Sequence, residues 1–459
     1  MTEPAMNATQ PEIDASAPVR CDVAVLGGGL AGLAASIHLR QRGLKVVCIE
    51  SDPFPHARVG ESLDWSGPGL LKGLGIPGDS LIADQVATYK VNIKIVSTDR
   101  PAYTAQPEPW FVHPLIGFNI VTLHVDRVEM DRRLFERATE LGTEFVWDRV
   151  AAVETDGDRV KTVRTVGGRR VEAPWFLDGS GRVARLLART FEIPKIDYGR
   201  EKVCFWTYFD SPPTNEGTTF YGDPTSDEYL TWIWEIPISP QTISIGCVMP
   251  ADQVSERRRQ GGLTVPEILV EQLRRFPRFT PLLQQQPEPP VRSVAYRTFV
   301  TERASGPNWM MMGEAGSLPD PLTANGVTAA FRHAHDAAVC VADSFARGEF
   351  TARQRRIYDT NLKRMGHVFN HSIEGALYNW PIRWGLGVMP AQKIYTAFSY
   401  TINALYSKYQ PHGWPSMLIF GFILKGVRLW IDSWSLLGRL AVRAGHRRTA
   451  KPLQPAETA

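Results

Sequence analysis

The hydrophobic pattern of the first fifty residues predicts a strand, a turn, a helix and a second strand. An apolar run over residues 21–26 leads into a glycine-rich turn, an amphipathic stretch follows, and a second apolar run ends at Glu50. Continuous apolar strands that alternate with helices are typical of a doubly wound sheet with both faces covered. We therefore expect an α/β domain near the start of the chain.

A second kind of pattern occupies the middle of the chain. Short aromatic and β-branched runs, separated by Pro, Asn, Gly and Asp, occur over residues 203–209 and 229–250, and they are typical of an antiparallel sheet. Segments that resemble the first domain return at residues 175–182 and 309–346. The sheet-rich part is therefore predicted to be inserted in the α/β domain.

These patterns predict an interleaved domain organisation. We expect a disordered leader, a discontinuous α/β domain, a β-sheet substrate domain, a helical C-terminal segment and a polar tail. Their predicted bounds are 1–20 for the leader, 21–95, 120–200 and 296–350 for the α/β domain, 96–119 and 201–295 for the substrate domain, 351–448 for the helical segment and 449–459 for the tail.

Composition narrows the class of protein. The chain has 459 residues, of which 43% are hydrophobic, so it can bury a large core. Its 51 basic and 48 acidic residues leave a formal charge of +3, which is too small and too scattered to indicate nucleic-acid binding. Five widely spaced cysteines without a CxxC pair argue against a disulfide framework or a zinc site and fit a reducing cytoplasm. The first twenty residues lack the basic and apolar regions of a signal peptide, and no run reaches the roughly 18 to 20 apolar residues of a membrane span.

The turn after the first strand is a GxGxxG motif formed by Gly27, Gly29 and Gly32. Between a strand and a helix, such glycines allow a tight turn, close approach of the backbone to a pyrophosphate, and close helix packing. Glu50 follows 18 residues after Gly32, where a carboxylate accepts hydrogen bonds from ribose hydroxyls and repels a 2′-phosphate. The motif predicts a dinucleotide site that includes the neighbouring Leu30, Ala31 and Ser51, but by itself it does not separate FAD from NAD.

Residues 312–327, MGEAGSLPDPLTANGV, resemble the second FAD fingerprint of aromatic hydroxylases and flavin-dependent halogenases. The resemblance implies that the acidic residue after Gly313, here Glu314 where the family more often has Asp, binds the ribityl chain. It also implies that the turn at Pro321 and the helix that opens at Asn325, Gly326 and Val327 face the flavin ring. A helix N-terminus has free N–H groups and a positive dipole end, which stabilise negative charge on a reduced flavin.

Three further segments resemble the same family. Asp178 to Gly181 resembles a strand end that packs beside the FAD, and Arg127 matches an arginine that reaches the cofactor phosphates. Residues 58–62, RVGES, resemble the Gly-Glu-Ser segment of carrier-dependent halogenases. The resemblance covers residues 20–345 and implies an FAD-binding domain of the aromatic-hydroxylase type. It adds Arg58, Gly60 and Ser62 to the candidate FAD ligands. It also implies that Glu61 is a catalytic candidate.

Trp232 and Trp234 lie in the sequence WIWEIP, a WxWxIP pattern associated with flavin-dependent halogenases. In that family the paired tryptophans lie near the flavin and hinder it from acting as an ordinary monooxygenase. Alternation along a strand places both side chains on one face. The alternative interpretation is that they are two core aromatics on a buried strand.

Lys90 is the candidate catalytic lysine. The segment ATYKVNIK at residues 87–94 resembles the strand whose lysine meets hypohalous acid in halogenases. Burial would lower the pKa of such a lysine and favour its neutral, nucleophilic form. Lys94 lies four residues further on and hence on the same face of one continuous strand, so it remains open, as does a solvated edge-strand lysine.

The C-terminal segment combines aromatic and basic residues. Trp380, Trp384, Trp414, Trp430 and Trp434 lie among Lys425, Arg428, Arg439, Arg443, Arg447 and Arg448. Such a segment could rest on an anionic membrane, dock an acidic carrier protein, or pack as a helical lid with a solvated basic face.

The leading hypothesis is halogenation of an electron-rich aromatic or pyrrole-like substrate, free or carrier-bound. It requires FAD reduced by a separate flavin reductase, oxygen, and chloride or bromide. The best-known tryptophan halogenases have a glutamate in the loop that corresponds to residues 320–325, and this chain has none there. One alternative is therefore a halide-independent hydroxylase or epoxidase of the same fold. Another is a C–C bond reductase or dehydrogenase of that fold. A third hypothesis is a flavin-bound, membrane-associated partner protein. We expect a cytoplasmic location, with peripheral membrane contact as an open question.

Overall fold

A computed structural model describes most of the chain up to residue 374. The described residues are 17–52, 58–64, 66–98, 103–105, 122–222 and 229–374, together with Tyr378, Lys425, Gly426, Leu429, Ser433 and Leu436. Residues 1–16 of the predicted leader, most of the predicted sheet segment 96–119, nearly all of the C-terminal segment after residue 374, and the tail lie outside the described residues.

The elements are numbered in chain order. The strands are β1 (Val19–Arg20), β2 (Val23–Leu26), β3 (Val46–Glu50), β4 (Ala87–Lys90), β5 (Asn92–Val96), β6 (Tyr103–Ala105), β7 (Thr122–Val125), β8 (Glu144–Trp147), β9 (Val150–Asp156), β10 (Arg159–Thr165), β11 (Arg170–Glu172), β12 (Trp175–Asp178), β13 (Lys195–Asp210), β14 (Gly217–Tyr221), β15 (Trp232–Pro237), β16 (Thr242–Pro250), β17 (Arg292–Thr301), β18 (Trp309–Met311) and β19 (Ser317–Leu318).

The helices of the described residues are numbered in the same way. They are α1 (Leu30–Arg40), α2 (Gly67–Gly73), α3 (Gly78–Ala83), α4 (Arg127–Glu140), α5 (Gly181–Ala184), α6 (Leu186–Thr190), α7 (Ala251–Gly261), α8 (Val265–Arg274), α9 (Thr280–Gln285), α10 (Gly326–Arg347) and α11 (Ala352–Ile373), with short 3₁₀ turns at Pro277–Phe279, Gly313–Ala315 and Pro321–Thr323. Across the described ranges, we find no helix whose length and apolarity would suffice to cross a bilayer.

The nucleotide-binding domain is built on a five-stranded parallel sheet with the order β18-β12-β2-β3-β8. Strand β2 lies at its centre, and all four of its side chains are buried, which explains the continuous apolar run. Helices α1 and α10 pack together over this sheet. Because β12 and β18 come from the two later segments that resemble the first, the α/β fold class with an interleaved second sheet is confirmed.

A four-stranded sheet with the order β1-β11-β10-β9 lies beside the parallel sheet. Its first strand corrects the predicted leader, because Val19 and Arg20 pair in parallel with Val171 and Glu172. A strand of only two residues in a polar segment has no recognisable hydrophobic pattern, so the sequence did not indicate it. The strand forms because the backbone of β11 supplies its hydrogen-bonding partners.

The second large sheet has eight strands in the order β19-β17-β13-β16-β15-β14-β5-β6. All its pairings are antiparallel except that of β14 with β5, which corrects the wholly antiparallel sheet expected from the sequence. It also begins earlier and ends later than predicted, because β13 starts at Lys195 and β17 ends at Thr301. Helices α7 to α9 pack on an apolar cluster on one face, and an aromatic cluster with Trp206, Trp232 and Trp234 covers the other.

A small sheet formed by β4 and β7 connects the two large ones. Residues 61–63 join its edge, because Leu63 N donates to Leu123 O and Val125 N donates to Glu61 O. After Lys90 the chain leaves this sheet, and β5 enters the eight-stranded sheet beside β14. The expectation that Lys90 and Lys94 share one strand face is therefore wrong, because Val91 separates two strands with different partners.

Candidate active site

The first glycine turn is closed against the end of β12. Gly27 has φ +96°, and a Cβ on it would lie 2.8 Å from the carbonyl oxygen of Gly179. A Cβ on Gly32 would lie 1.8 Å from the carbonyl oxygen of Gly27. Only glycine fits at these two positions, since a side chain would push helix α1 or β12 away from the turn.

The Glu50 carboxylate lies beside this turn, as the spacing predicts. Gly28 N donates to Glu50 Oε2 at 2.6 Å, while Ser51 Oγ and Asp52 N donate to Oε1 at 3.2 and 3.0 Å. A carboxylate held at the end of β3 can accept hydrogen bonds from a ribose.

The second fingerprint lies against the first. A Cβ on Gly313 would lie 3.0 Å from Cβ of Ala31 on helix α1, so the segment that carries Glu314 runs beside the glycine turn. Glu314 forms an ion pair with Arg182 at 3.5 Å, and its side chain keeps 46% of its exposure. Arg58 Nη1 lies 3.5 Å from where a Cβ of Gly29 would be. Arg58, Arg182 and the N–H groups of the glycine turn thus lie on the same side of the domain as the half-exposed Glu314 carboxylate. Cations and N–H groups can bind a pyrophosphate, and a carboxylate can accept hydrogen bonds from a ribityl chain.

The turn before helix α10 is set by Asp320, which accepts a hydrogen bond from Leu322 N at 3.0 Å. Pro321 opens the 3₁₀ turn, and Ala324 follows in the left-handed region at φ +57°. Asn325 is the N-cap residue of α10, and Gly326 and Val327 are its first residues. The first-turn N–H groups of a helix have no intrahelical acceptors, so this end can stabilise an anion.

Asp178 holds the strand end that packs on Gly27. It is fully buried and accepts hydrogen bonds from Ser180 N at 2.9 Å, Ser180 Oγ at 2.6 Å and Leu187 N at 2.8 Å. Burial raises its pKa. Gly181 follows at φ +77° as the first residue of α5. The contacts of Asp178 are thus made to its own segment, and they keep Gly179 against the glycine turn.

Arg127, the first residue of α4, is buried and makes its hydrogen bonds inside the protein. Its Nε and Nη2 donate to both Asp131 oxygens at 3.0 Å, and its Nη1 donates to Val59 O at 2.8 Å. A Cβ on Gly60 would lie 2.8 Å from Arg127 Nη1. Arg127 therefore anchors the Gly-Glu-Ser segment.

Glu61 connects this segment to the tryptophan strand. Its carboxylate is buried and accepts hydrogen bonds from Gly60 N at 2.9 Å, Tyr208 OH at 3.0 Å and Ser244 Oγ at 3.2 Å. Ser244 Oγ in turn accepts from Trp234 Nε1 at 3.1 Å. Burial raises the pKa of Glu61.

Trp232 and Trp234 lie on one face of β15, with ring centroids 5.7 Å apart and planes tilted by 47°. Both are buried within the aromatic cluster, and Val59 of the Gly-Glu-Ser segment packs against that cluster. Their indole N–H groups have different partners, because Trp234 reaches Ser244 and Trp232 donates to Tyr378 OH at 2.9 Å.

Lys90 ends β4 inside the protein, with 8% of its surface exposed. Its Nζ donates to Ser62 Oγ at 2.9 Å. Burial lowers the pKa of Lys90 to about 8, while the charge of Asp64 acts in the opposite direction. Ser62, predicted as a cofactor ligand, is thus the hydrogen-bond acceptor of the candidate catalytic lysine.

A buried histidine lies behind this pair. Thr218 Oγ1 lies 2.9 Å from His124 Nε2 and 3.5 Å from Ser62 Oγ. Burial, together with the charge of Lys90, holds the pKa of His124 well below its usual value, so the imidazole is neutral at neutral pH.

Asp64, two residues after the Gly-Glu-Ser segment, anchors the chain to helix α10. It accepts hydrogen bonds from Thr328 Oγ1 at 2.6 Å and Arg332 Nη2 at 2.5 Å. The Gly-Glu-Ser segment is therefore held by α4 through Arg127, by α10 through the nearby Asp64, and by the eight-stranded sheet through Tyr208 and Ser244.

Sequence reasoning missed the residues that support the site. They are separated from their partners by long stretches of chain, and no local motif identifies them; they are Asp64, His124, Tyr208, Thr218 and Ser244. The alternation of β14 could have indicated that Thr218 and Phe220 share a face, but the pairing of β14 with β5 was needed to bring Thr218 to Ser62.

Two family models match the chain. The model described as Tryptophan halogenase matches residues 116–374, and the model described as FAD binding domain matches residues 22–79. The match to the first covers more than half of the chain. The resemblance to flavin-dependent halogenases drawn from the sequence motifs is thereby confirmed, and so is FAD as the cofactor.

Individual halogenases are also similar to this chain in sequence and in structure. The chain is 26% identical to a tryptophan 2-halogenase of Chondromyces crocatus, over 71% of this chain and 61% of that protein. It is 27% identical to a 1H-pyrrole-2-carbonyl-[peptidyl-carrier protein] brominase of Pseudoalteromonas luteoviolacea, over 68% of this chain and 74% of that protein. The structure of the flavin-dependent brominase Bmp2 is similar with a TM-score of 0.68 and 20% identity, over 89% of this chain and 99% of the other, and this likeness shows the fold.

Proposed function

This chain belongs to the tryptophan halogenase family, and on that premise we propose that it is an FAD-dependent oxidoreductase that halogenates an electron-rich aromatic or heteroaromatic substrate. The chain spans 61% of the length of the tryptophan 2-halogenase and 64% of the halogenase ptaM of Pestalotiopsis fici that it matches. The activity is therefore argued from the site itself.

The observation that carries the proposal is the buried pair of Lys90 and Ser62. A lysine whose pKa is lowered to about 8 has roughly one tenth of its molecules neutral at pH 7, by the ordinary titration relation. The neutral amine can accept a hydrogen bond from hypohalous acid or react with it as a nucleophile. In this proposal Lys90 directs the electrophile, and its 8% exposure argues against a solvated edge-strand lysine.

The residues that would hold FAD surround the two fingerprints. The glycine turn with Leu30, Ala31, Glu50 and Ser51 would bind the adenosine and pyrophosphate end, and Arg58, Glu314 and the α10 N-terminus would bind the ribityl and ring end. When bound and reduced, FAD supplies, together with oxygen and chloride or bromide, the electrophilic halogen as hypohalous acid.

The reaction at Lys90 is an aromatic substitution. Lys90 Nζ holds hypohalous acid, the substrate ring forms its new carbon–halogen bond, and the oxygen–halogen bond breaks. The ring proton and the hydroxyl group leave as water, so the aromatic compound and hypohalous acid give the halogenated compound and water. Trp232 and Trp234, buried in the aromatic cluster against which Val59 packs, would shield bound FAD from the substrate.

The substrate class follows from the family and the Gly-Glu-Ser segment. We propose a small electron-rich ring, such as an indole, phenol or pyrrole, either free or attached to a carrier protein. A separate flavin reductase would supply reduced FAD. A cytoplasmic location and peripheral membrane contact through the C-terminal segment stay predictions, since that segment lies largely outside the described residues.

The test is product mass after incubation with reduced FAD, oxygen and bromide against a panel of indoles, phenols and pyrroles. We expect a product that carries bromine and that disappears when halide is omitted. A product that gains oxygen in halide-free buffer would overturn the halogenase assignment and select a monooxygenase.

Lys90 is tested against a matched lysine. We expect Lys90→Ala to lose halogenation by at least about a hundredfold, the usual scale for a removed catalytic group, while bound FAD is retained. Lys94→Ala removes a half-buried lysine from the neighbouring strand β5 and should leave the rate nearly unchanged. Halogenation that survives in Lys90→Ala would show that the lysine assignment is wrong.

A further inference from the structure

A second buried lysine lies outside the site described above. Lys202 on β13 has no exposed surface, and its ammonium group forms ion pairs with Asp320 at 3.4 Å and with Glu374 at the end of α11. It also lies 4.3 Å from the ring centroid of Tyr378. A buried ammonium is strongly destabilising unless charges and hydrogen bonds surround it, so these groups form one unit, which we call the Lys202 cluster.

Each carboxylate of the Lys202 cluster has a tyrosine donor as well. Tyr229 OH donates to Glu374 Oε2 at 2.7 Å, and Tyr378 OH donates to Asp320 Oδ1 at 3.1 Å. The two tyrosine rings stack with centroids 4.9 Å apart and planes 23° apart. The orientation of the Tyr378 ring and of its hydroxyl is therefore fixed from several sides.

The Tyr378 hydroxyl also accepts the hydrogen bond of Trp232 Nε1 at 2.9 Å. The two tryptophans of β15 are thus anchored separately: Trp234 through Ser244 to Glu61, and Trp232 through Tyr378 to Asp320. Asp320 belongs to the turn that leads into helix α10, where its carboxylate also accepts from Leu322 N. One carboxylate therefore orients both the turn that would face the flavin and, through Tyr378, the Trp232 indole.

We propose that Tyr378, held by Asp320 and Lys202, is a positioning residue that fixes the Trp232 indole for the proposed halogenation. The inference rests on the proposed function and deepens it, because it identifies what keeps one of the two shielding tryptophans in place. Tyr378 lies after helix α11, beyond the residues that the family resemblance in the sequence covers.

The hydrogen bond itself is tested without any activity measurement. In protein labelled with ¹⁵N-tryptophan, the Trp232 indole N–H resonance is assigned with Trp232→Phe, and its solvent exchange is measured in Tyr378→Phe. We expect exchange to rise at least tenfold in Tyr378→Phe, which keeps the ring and removes the hydroxyl. Tyr229→Phe, which removes a hydroxyl of the same cluster bonded to Glu374, should leave Trp232 protected, and Ser244→Ala should affect Trp234 alone. Unchanged exchange of Trp232 in Tyr378→Phe would overturn the proposal.

The consequence for the reaction is tested by partitioning of products. With bromide present, Tyr378→Phe should raise the share of reduced FAD that ends as hydrogen peroxide or oxygenated product, relative to wild type and to Tyr229→Phe, while FAD content stays equal. Equal partitioning in the two variants would also overturn the proposal. If the wild-type protein itself makes no brominated product, the proposed function fails, and the exchange measurement alone decides whether Tyr378 positions Trp232.

Discussion

Lys90 donates a hydrogen bond from Nζ to Ser62 Oγ across 2.9 Å inside the protein. The two residues come from different segments, one from the end of strand β4 and the other from the Gly-Glu-Ser segment. Glu61, the neighbour of Ser62, is connected through Ser244 to Trp234. Two adjacent residues therefore serve two parts of the proposed reaction, the lysine that directs the halogen and a tryptophan that shields the flavin.

Removing the Ser62 hydroxyl should shift the pH dependence of halogenation. The pKa of Lys90 lies at about 8 because burial lowers it, and the hydroxyl that accepts from its ammonium group stabilises the charged form. Ser62→Ala removes that stabilisation, so the pKa falls further. If the neutral amine is the active form, activity rises with pH through this pKa, and the rising limb of kcat/KM should move to lower pH.

Ser62→Thr is the matched control for this prediction, because it keeps the acceptor oxygen. The groups that face Lys90 from neighbouring elements are unchanged in both variants, namely Asp64 with its partner Arg332, and neutral His124 on β7. If the rising limb of kcat/KM lay at the same pH in Ser62→Ala and in wild type, Ser62 would have no role in setting the pKa of Lys90.

Gly32→Ala should impair FAD binding and folding together. Its Cβ would lie 1.8 Å from the carbonyl oxygen of Gly27, so helix α1 must move away from the glycine turn. We expect the purified variant to contain little FAD and to unfold at lower denaturant concentration. Gly69→Ala in α2 meets no atom within 4 Å and should be neutral or stabilising by up to about 1 kcal/mol. A fully flavinated Gly32→Ala protein would contradict the close packing at this turn.

Lys202→Met should lower the free energy of unfolding by about 3–5 kcal/mol near neutral pH, the usual cost of leaving a buried charge without its partner. Burial raises the pKa of Glu374, and Lys202 acts against that rise. Without Lys202 the pKa of Glu374 in the folded state rises further above its value in the unfolded state. Between these two pKa values the folded state carries a proton on Glu374 that the unfolded state lacks. The free energy of unfolding therefore falls as the pH rises through that range. Urea midpoints should thus differ more from wild type at pH 8 than at pH 5.

The exposed pair of Lys161 and Asp156 provides the comparison for Lys202, since both side chains are at least 60% exposed. Lys161→Met should leave the urea midpoint nearly unchanged at both pH values, because exposed ion pairs contribute little. If Lys202→Met behaved in the same way, the carboxylates of the Lys202 cluster would have to be solvated.

Glu61→Gln should weaken the link between the Gly-Glu-Ser segment and the tryptophan strand. The carboxylate accepts hydrogen bonds on both oxygens, whereas an amide offers one acceptor and one donor group. The neutral amide therefore weakens or loses at least one of the charge-assisted hydrogen bonds to Gly60, Tyr208 and Ser244, which costs about 1–3 kcal/mol. We expect lower thermal stability and a smaller brominated yield per reduced FAD; Tyr208→Phe, which removes a single donor, should show the smaller change in both.

The parts that sequence predicted well are those that depend on neighbours along the chain. The GxGxxG turn, Glu50 at the end of β3 and the start of α10 near Asn325 follow from local spacing, because a turn and the helix after it need particular backbone angles and caps. The error over Lys94 has the same origin. Residues 87–94 have a continuous strand-like pattern, and only the different partners of β4 and β5 show that the strand is broken at Val91.

What the sequence by itself determined is the α/β class, the FAD-binding fingerprints and the family, because each of these depends on residue types at fixed spacing. Tertiary structure alone decided which side chains meet: Ser62 with Lys90, Glu61 with the strand of Trp234, and Tyr378 with Trp232. Those contacts join segments that are far apart in the chain, and they form because burial requires each polar group to find a partner wherever the packing of the sheets places one. No local pattern encodes that choice, since it depends on the register and order of strands across the whole molecule.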